Sequence, residues 1–194
     1  MKVIFDYFFA TIGVFLCLPL LIIIGICIKA TSKGPIFYTQ KRVGRYGNIF
    51  TIIKFRSMTS GHGDSNTITI DGDLRITSLG SFLRKYKLDE LPELFNILKG
   101  EMSFVGPRPD LPAYADKLIG ENRKILELKP GITSQASLKY AKEEEILAKQ
   151  DNPINYNNEV IYPDKIKMNL DYYYNNNLWI DIKIIFATIF RTSY

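Results

Sequence analysis

The apolar positions of this chain follow three different patterns, and each predicts a different kind of element. Between Asp6 and Lys29 runs YFFATIGVFLCLPLLIIIGICI, without a charge. At about 1.5 Å per residue, roughly 22 residues of helix reach across a bilayer core. A buried core helix would have to be apolar all round within a small domain, and Lys2 makes too thin a basic region, with no small-residue site following, for a cleaved signal peptide. Pro19 lies mid-run and removes a backbone donor, so the helix is expected to kink and span, or to break and turn back with both ends on one face. The charges that follow (Lys29, Lys33, Lys41, Arg42, Arg45) put the downstream part in the cytoplasm.

The second pattern is alternating. From Pro35 to Met58, two β-branched and aromatic runs flank Tyr46-Gly47-Asn48 and predict a hairpin. SGHGDSNTITIDGD then reads as a loop; its carboxylates lack the ligand spacing of an EF-hand, and His62, the only histidine, reads as solvated.

Helical periodicity is the third pattern. Thr77-Ser78 offers an N-cap for SLGSFLRKYK, with Leu79, Phe82, Leu83 and Tyr86 on one stripe. A second helix follows if Asp89 caps it: Pro92 then falls in the first turn, Leu91, Leu94, Phe95 and Leu98 make the stripe, and Gly100 stops it. EMSFVGPRPDLP reads as a loop holding Arg108 between prolines, LKPGITS as a tight turn, and residues 142–150 as a charged surface helix. The closing stretch LWIDIKIIF is interrupted by Asp181 and Lys183, which suits an interfacial helix and a helix capping the core equally. The fold class expected is α+β, mostly helical with a small β hairpin: a membrane-embedded segment over residues 1–30 and a cytoplasmic, membrane-associated domain over 31–194.

Charge narrows the partners. With 25 Lys and Arg against 20 Asp and Glu among 194 residues, the net charge of +5 favours an anion: lipid, phosphorylated substrate or nucleic acid. The basic residues are dispersed and no recognition helix or stacking motif accompanies them, so nucleic acid is not expected. Cys17 and Cys27 lie inside the apolar run and read as small hydrophobes, as in a reducing compartment.

The candidate chemistry sits in KLDELPEL. Asp89 and Glu90 are well suited to cap and start a helix, and the macrodipole favours both by about 0.3–1 kcal/mol. They also have company, since Lys54, Arg56, Arg84 and Arg108 each stand at the edge of an element, where they could converge on a phosphate. A cap or a nucleophile are both open at this point.

KRVGRYGNIFTIIKFRSM, LRKYKLDELPELFNILKGEMSFVGPRP and KPGIT together resemble the bacterial sugar transferase family, in its small monotopic phosphoglycosyl transferase form, over nearly the whole chain. The resemblance implies transfer of a phospho-sugar from a UDP-sugar to a polyprenol phosphate, usually undecaprenyl phosphate, with release of UMP. It further implies that Asp89 attacks the β-phosphorus to give a covalent aspartyl-phosphosugar, that Glu90 helps hold Mg²⁺, and that Lys54, Arg84, Arg108 and Pro109 contact phosphate and nucleotide. It favours a re-entrant membrane helix at the cytoplasmic face of a bacterial inner membrane, in contact with membrane lipid, making a product for downstream glycosyltransferases. Two departures stand out. Leu18 precedes Pro19 where the family usually has Ser, and Ser134-Gln135 follows KPGIT where many relatives read GWAQ and carry a later arginine, whose charge Lys142 or Lys139 would replace.

Those roles are physically coherent. A carboxylate nearing a diphosphate at about 4 Å is repelled by about 4 kcal/mol per charge at an effective dielectric of about 20, which metal and basic side chains have to offset. Aspartate is ionised near neutral pH and needs no general base, which suits a chain with a single histidine. The competing reading is a non-catalytic membrane-surface protein that binds anionic lipid or a nucleotide-sugar; metal-dependent UMP release separates the two.

Overall fold

A computed structural model of the chain describes residues 1–59 and 73–192; the expected loop around His62 lies outside the described residues. Helix α1 runs from Lys2 to Thr31 with Pro19 inside it rather than between two helices. Its apolar side chains divide between two neighbourhoods. Ala10 packs with Phe50, Leu94 and Met102, while Leu21, Ile24 and Ile28 pack with Phe55 and Leu83. Phe8, Phe15, Leu16, Ile22, Ile23 and Ile26 stay exposed, an apolar face of the sort that lipid covers.

The two ends of α1 are held by polar contacts to the same body. At the start, Lys2 Nζ donates to Asp181 Oδ2 at 2.5 Å and to the Val105 carbonyl at 2.9 Å. At the end, Arg56 donates to the carbonyl and hydroxyl oxygens of Ser32 at 2.9 and 2.8 Å. A helix fastened to one polar body at both ends runs along that body.

The expected hairpin forms from β1 (Phe37–Val43) and β2 (Ile49–Phe55), with Val43 opposite Ile49 and Phe37 opposite Phe55. Its turn takes positive φ at both Tyr46 (61°) and Gly47 (81°), the I′ geometry whose twist matches paired strands. Helix α2 (Ser78–Lys85) starts where expected, with Thr77 Oγ1 accepting from Gly80 N–H. Gly80 is required there, since a Cβ would stand 1.9 Å from the Ser57 carbonyl oxygen. Helix α3 (Glu93–Leu98) ends at Gly100, with φ of 79°.

A second sheet was not expected. The FVGPRP loop and the KPGIT turn contain β3 (Ser103–Val105) and β4 (Gly131–Thr133), which pair in parallel. Two glycines allow the approach: a Cβ on Gly106 would lie 2.2 Å from the Lys129 carbonyl oxygen, and one on Gly131 only 2.1 Å from Gly106 N. Shorter helices α4 (Pro112–Ala115), α5 (Gln135–Lys139), α6 (Glu143–Ala148) and α7 (Pro153–Tyr156) lead into α8 (Tyr162–Asn175) and α9 (Leu178–Phe190). Helix α9 caps the core along one face, as one of its two readings expected. Ile184 packs with Val105 and Tyr172 in the core, while Trp179, Phe186, Ile189 and Phe190 are exposed.

Candidate functional site

The site forms where β2, the α2–α3 connection and the loop after β3 meet. Asn96, fully buried on α3, donates to the Thr51 carbonyl at 2.7 Å and accepts from Ile53 N–H at 3.1 Å. That clamp fixes α3 against β2 and so sets Lys54 beside the start of α3. The loop carrying Arg108 is held by β1 from the other side: Val43 N–H donates to the Asp110 carbonyl at 2.9 Å, and Arg42 to that of Pro109 at 3.1 Å.

Asp89 is not the expected cap. The chain leaves α2 through Lys87 in the left-handed conformation, makes a separate 3-10 turn over Leu88–Glu90, and begins α3 only at Glu93. No side chain caps either segment. Asp89 is 7% exposed, and its Oδ1 is buried without a hydrogen bond. An unbonded buried carboxylate oxygen costs free energy, so stability does not explain its placement. Leu88 and Leu91, on either side, pack against the core cluster of Leu21, Ile24, Ile28, Phe55 and Leu83 and hold the turn in place.

Glu90 has the opposite surroundings. Its Oε1 accepts from Lys54 Nζ and from Arg108 Nη2, both at 2.7 Å. Lys54 Nζ also stands 3.2 Å from Oε1 of Glu93, a third carboxylate, only 2% exposed. Arg84 is held by Glu144 at the start of α6. Burial disfavours all three buried carboxylates but the outcomes differ. It pushes Asp89 up, with the neighbouring Glu90 charge adding to the shift and Lys54 and Arg84 moderating it. Glu90 is also desolvated, yet the positive charges of Arg108 and Lys54 outweigh that and hold it well below the usual carboxylate range. Glu93 is pushed up to about 7, chiefly by burial.

Of the residues expected at the site, Asp89, Glu90, Lys54, Arg84 and Arg108 come together. Pro109 is buried next to Arg108 and contributes its carbonyl to Arg42. Two of the expected substrate contacts are placed elsewhere. Arg56 is buried and directed at Ser32, where it braces the end of α1. Lys142 faces solvent, with Glu145 as a loose partner at 3.5 Å, because the first turn of α6 presents Glu144 rather than a cation to the site. Glu93 went unrecognised in the sequence; its signal was a third carboxylate one helical turn after Glu90.

Among the described residues, no group of three His, Cys, Asp or Glu side chains is arranged to hold an ion. Mg²⁺ commonly takes only one or two carboxylates and completes its shell with phosphate oxygens and water. Asp89 with an unbonded oxygen and Glu90 beside it fit that donor set.

The sequence profile described as bacterial sugar transferase matches residues 1–193. The chain is 36% identical over 96% of its length to the UDP-glucose:undecaprenyl-phosphate glucose-1-phosphate transferase of Klebsiella pneumoniae, and covers 38% of that protein. It is 36% identical over 95% of its length to the UDP-N-acetylgalactosamine-undecaprenyl-phosphate N-acetylgalactosaminephosphotransferase of Aeromonas hydrophila, covering 41% of it. A putative undecaprenyl-phosphate N-acetylgalactosaminyl 1-phosphate transferase of Bacillus subtilis is 41% identical over 62% of the chain, which covers 68% of that relative. The chain thus spans about two fifths of the length of the first two relatives.

Proposed function

Since the chain belongs to the bacterial sugar transferase family, we propose that it moves a phospho-sugar from a UDP-sugar to polyprenol phosphate, with Asp89 as the nucleophile. The observation that carries this reading is the buried Asp89 Oδ1, unbonded beside a carboxylate–cation cluster. A structural aspartate would have its oxygens satisfied; a nucleophile needs one free.

In the first step Asp89 attacks the phosphorus that bears the sugar, forming an O–P bond as the bond to the bridging oxygen breaks and UMP leaves with that electron pair. A phosphate oxygen of the polyprenol phosphate then attacks the aspartyl-phosphosugar, restoring the Asp89 carboxylate. Arg84, Arg108 and Lys54 offset the charge gathered on the diphosphate. Burial makes Asp89 a better base than an exposed aspartate, while Arg84 and Lys54 favour its ionised form. Mg²⁺, taken by Glu90 with Asp89 nearby, would supply further positive charge against the phosphate oxygens. The acceptor explains α1: a lipid phosphate stays at the membrane surface, so the site has to be held in that plane. An apolar groove lined by Leu18, Leu21, Ile22 and Ile26 of α1 together with Phe95 of α3 offers a prenyl chain a place behind the site. Both ends of α1 and the catalytic part would lie on the cytoplasmic side of the inner membrane, and the product would pass to downstream glycosyltransferases.

The relatives named above use different sugars at the same 36% identity, so the test takes a panel of donors. Purified wild type and Asp89→Asn are given Mg²⁺, undecaprenyl phosphate and each UDP-sugar, and UMP is measured. Release by wild type alone supports the transferase and names its donor. Equal release by both removes Asp89 as nucleophile, and no release from any donor favours the non-catalytic, lipid- or nucleotide-sugar-binding reading.

A further inference from the structure

Lys54, Arg84 and Arg108 are each engaged by a carboxylate before any phosphate arrives. Lys54 and Arg108 share Glu90, and Lys54 also faces Glu93. Arg84 is taken by Glu144, which is not part of the carboxylate cluster and comes from α6, sixty residues on. A diphosphate therefore has to share or replace an internal carboxylate to reach any of these cations.

The cost of replacement differs sharply among them. The side chains of Glu90 and Glu93 are 9% and 2% exposed, so expelling either means breaking a buried ion pair and rebuilding the core around it. Glu144 is 42% exposed, and its carboxylate moves into water by turning its side chain. Helix α6 does not depend on it. Glu143 pairs with Lys165 of α8 at 2.6 Å, and Leu147 is buried on the same short helix. Three successive glutamates thus have distinct settings: Glu143 fastens α6, Glu144 reaches Arg84, and Glu145 faces solvent near Lys142.

We propose that Glu144 is a displaceable counter-anion on an Arg84 phosphate subsite, holding the guanidinium until a phosphate of a nucleoside diphosphate takes its place. The proposal rests on the transferase reading above and adds a control on its substrate binding. Glu144 also gives Arg84 a partner other than the unbonded oxygen of Asp89, so the nucleophile is not consumed in an internal ion pair while the site is empty of substrate. Nucleotide affinity is accordingly set by competition between two anions, one intramolecular.

The test uses the full chain in detergent, carrying Asp89→Asn so that turnover cannot intervene. UDP binding is measured by calorimetry with and without Glu144→Gln, a substitution of equal size at a half-exposed position. Removing the competing charge is expected to tighten UDP binding about three- to tenfold, the effect of one partly screened charge-assisted contact, while binding of uridine, which has no phosphate, stays as it was. In an Arg84→Gln background the gain from Glu144→Gln should vanish. Equal or weaker UDP binding in the Glu144→Gln protein overturns the proposal while leaving the transferase reading in place. A gain that persists without Arg84 overturns it too. If neither protein binds UDP, the transferase reading fails and this inference fails with it.

Discussion

Two of the buried clusters of charge among the described residues are finished to different degrees. Where α1 begins, Asp181, 2% exposed, accepts from Lys2 at 2.5 Å and from the Tyr172 hydroxyl, and Asp6 nearby accepts from the Ser103 hydroxyl at 3.1 Å and Phe104 N–H at 3.2 Å. Donors meet the carboxylates there and the result fastens three segments far apart in sequence. At the Asp89–Glu93 cluster, Glu90 is equally well served, but Asp89 keeps an oxygen without a partner. Similar burial with different satisfaction separates a fastening from the proposed site of chemistry. The first contributes to holding α1; the second keeps an unmet desolvation cost, which on the proposed reading substrate recovers.

The largest effect expected is that of Asp89→Asn, which should lower turnover about a thousandfold or more with no loss of melting temperature, because it removes a buried charge that lacks a bond. A parallel loss of turnover and stability would place Asp89 with the fastening residues and erase the contrast. Lys2→Met should do the converse. It strands Asp181 and is expected to cost about 2 kcal/mol, less than the roughly 3–5 kcal/mol for breaking a fully buried pair, since Lys2 is 32% exposed. Thermal unfolding in detergent measures that cost, and turnover per folded molecule should remain. Adding Asp181→Leu should recover most of the stability, because an apolar pair replaces a stranded charge.

What the sequence revealed and what it withheld divides along the reach of the interactions. The length of α1, the hairpin turn at Tyr46-Gly47, the Thr77 cap and the stop at Gly100 are local events, each announced by residues within a few positions. The pair of three-residue strands β3 and β4 joins segments 28 residues apart at Ser103 and Gly131, with too few residues to show alternation. Lys2 and Asp181 meet across 179 positions; the only sign was a carboxylate inside a largely apolar helix, which burial with a partner explains. At the site, the family resemblance brought Asp89, Glu90, Lys54, Arg84 and Arg108 to notice, and the structure gathers them. It could not tell which charged residue of α6 faces inward, so Lys142 was expected where Glu144 stands. Nor could it show that Arg56 turns back to α1.

The smallest effect asks whether the second cluster is unbalanced in protons as well as in hydrogen bonds. Glu93 is pushed up to about 7 in the folded protein from an ordinary 4.5. Between those values the folded state holds a proton that the unfolded chain has released, so this group's contribution to stability declines as pH rises across the window. Glu90 works oppositely but lower on the scale: its pKa is held below the usual range, so its contribution is complete above about 4.5 and is lost only on further acidification. Burial also pushes Asp89, Asp6 and Asp110 up, so it is the comparison with a Glu93 variant over pH 5 to 7 that isolates Glu93. Glu93→Gln has no proton to lose there, and its melting temperature relative to wild type should be about 5 °C higher at pH 8 than at pH 5. Parallel curves would mean that Glu93 is already ionised at pH 5, in which case the charge of Lys54 balances it fully although its Oε1, like Asp89 Oδ1, is buried without a hydrogen bond.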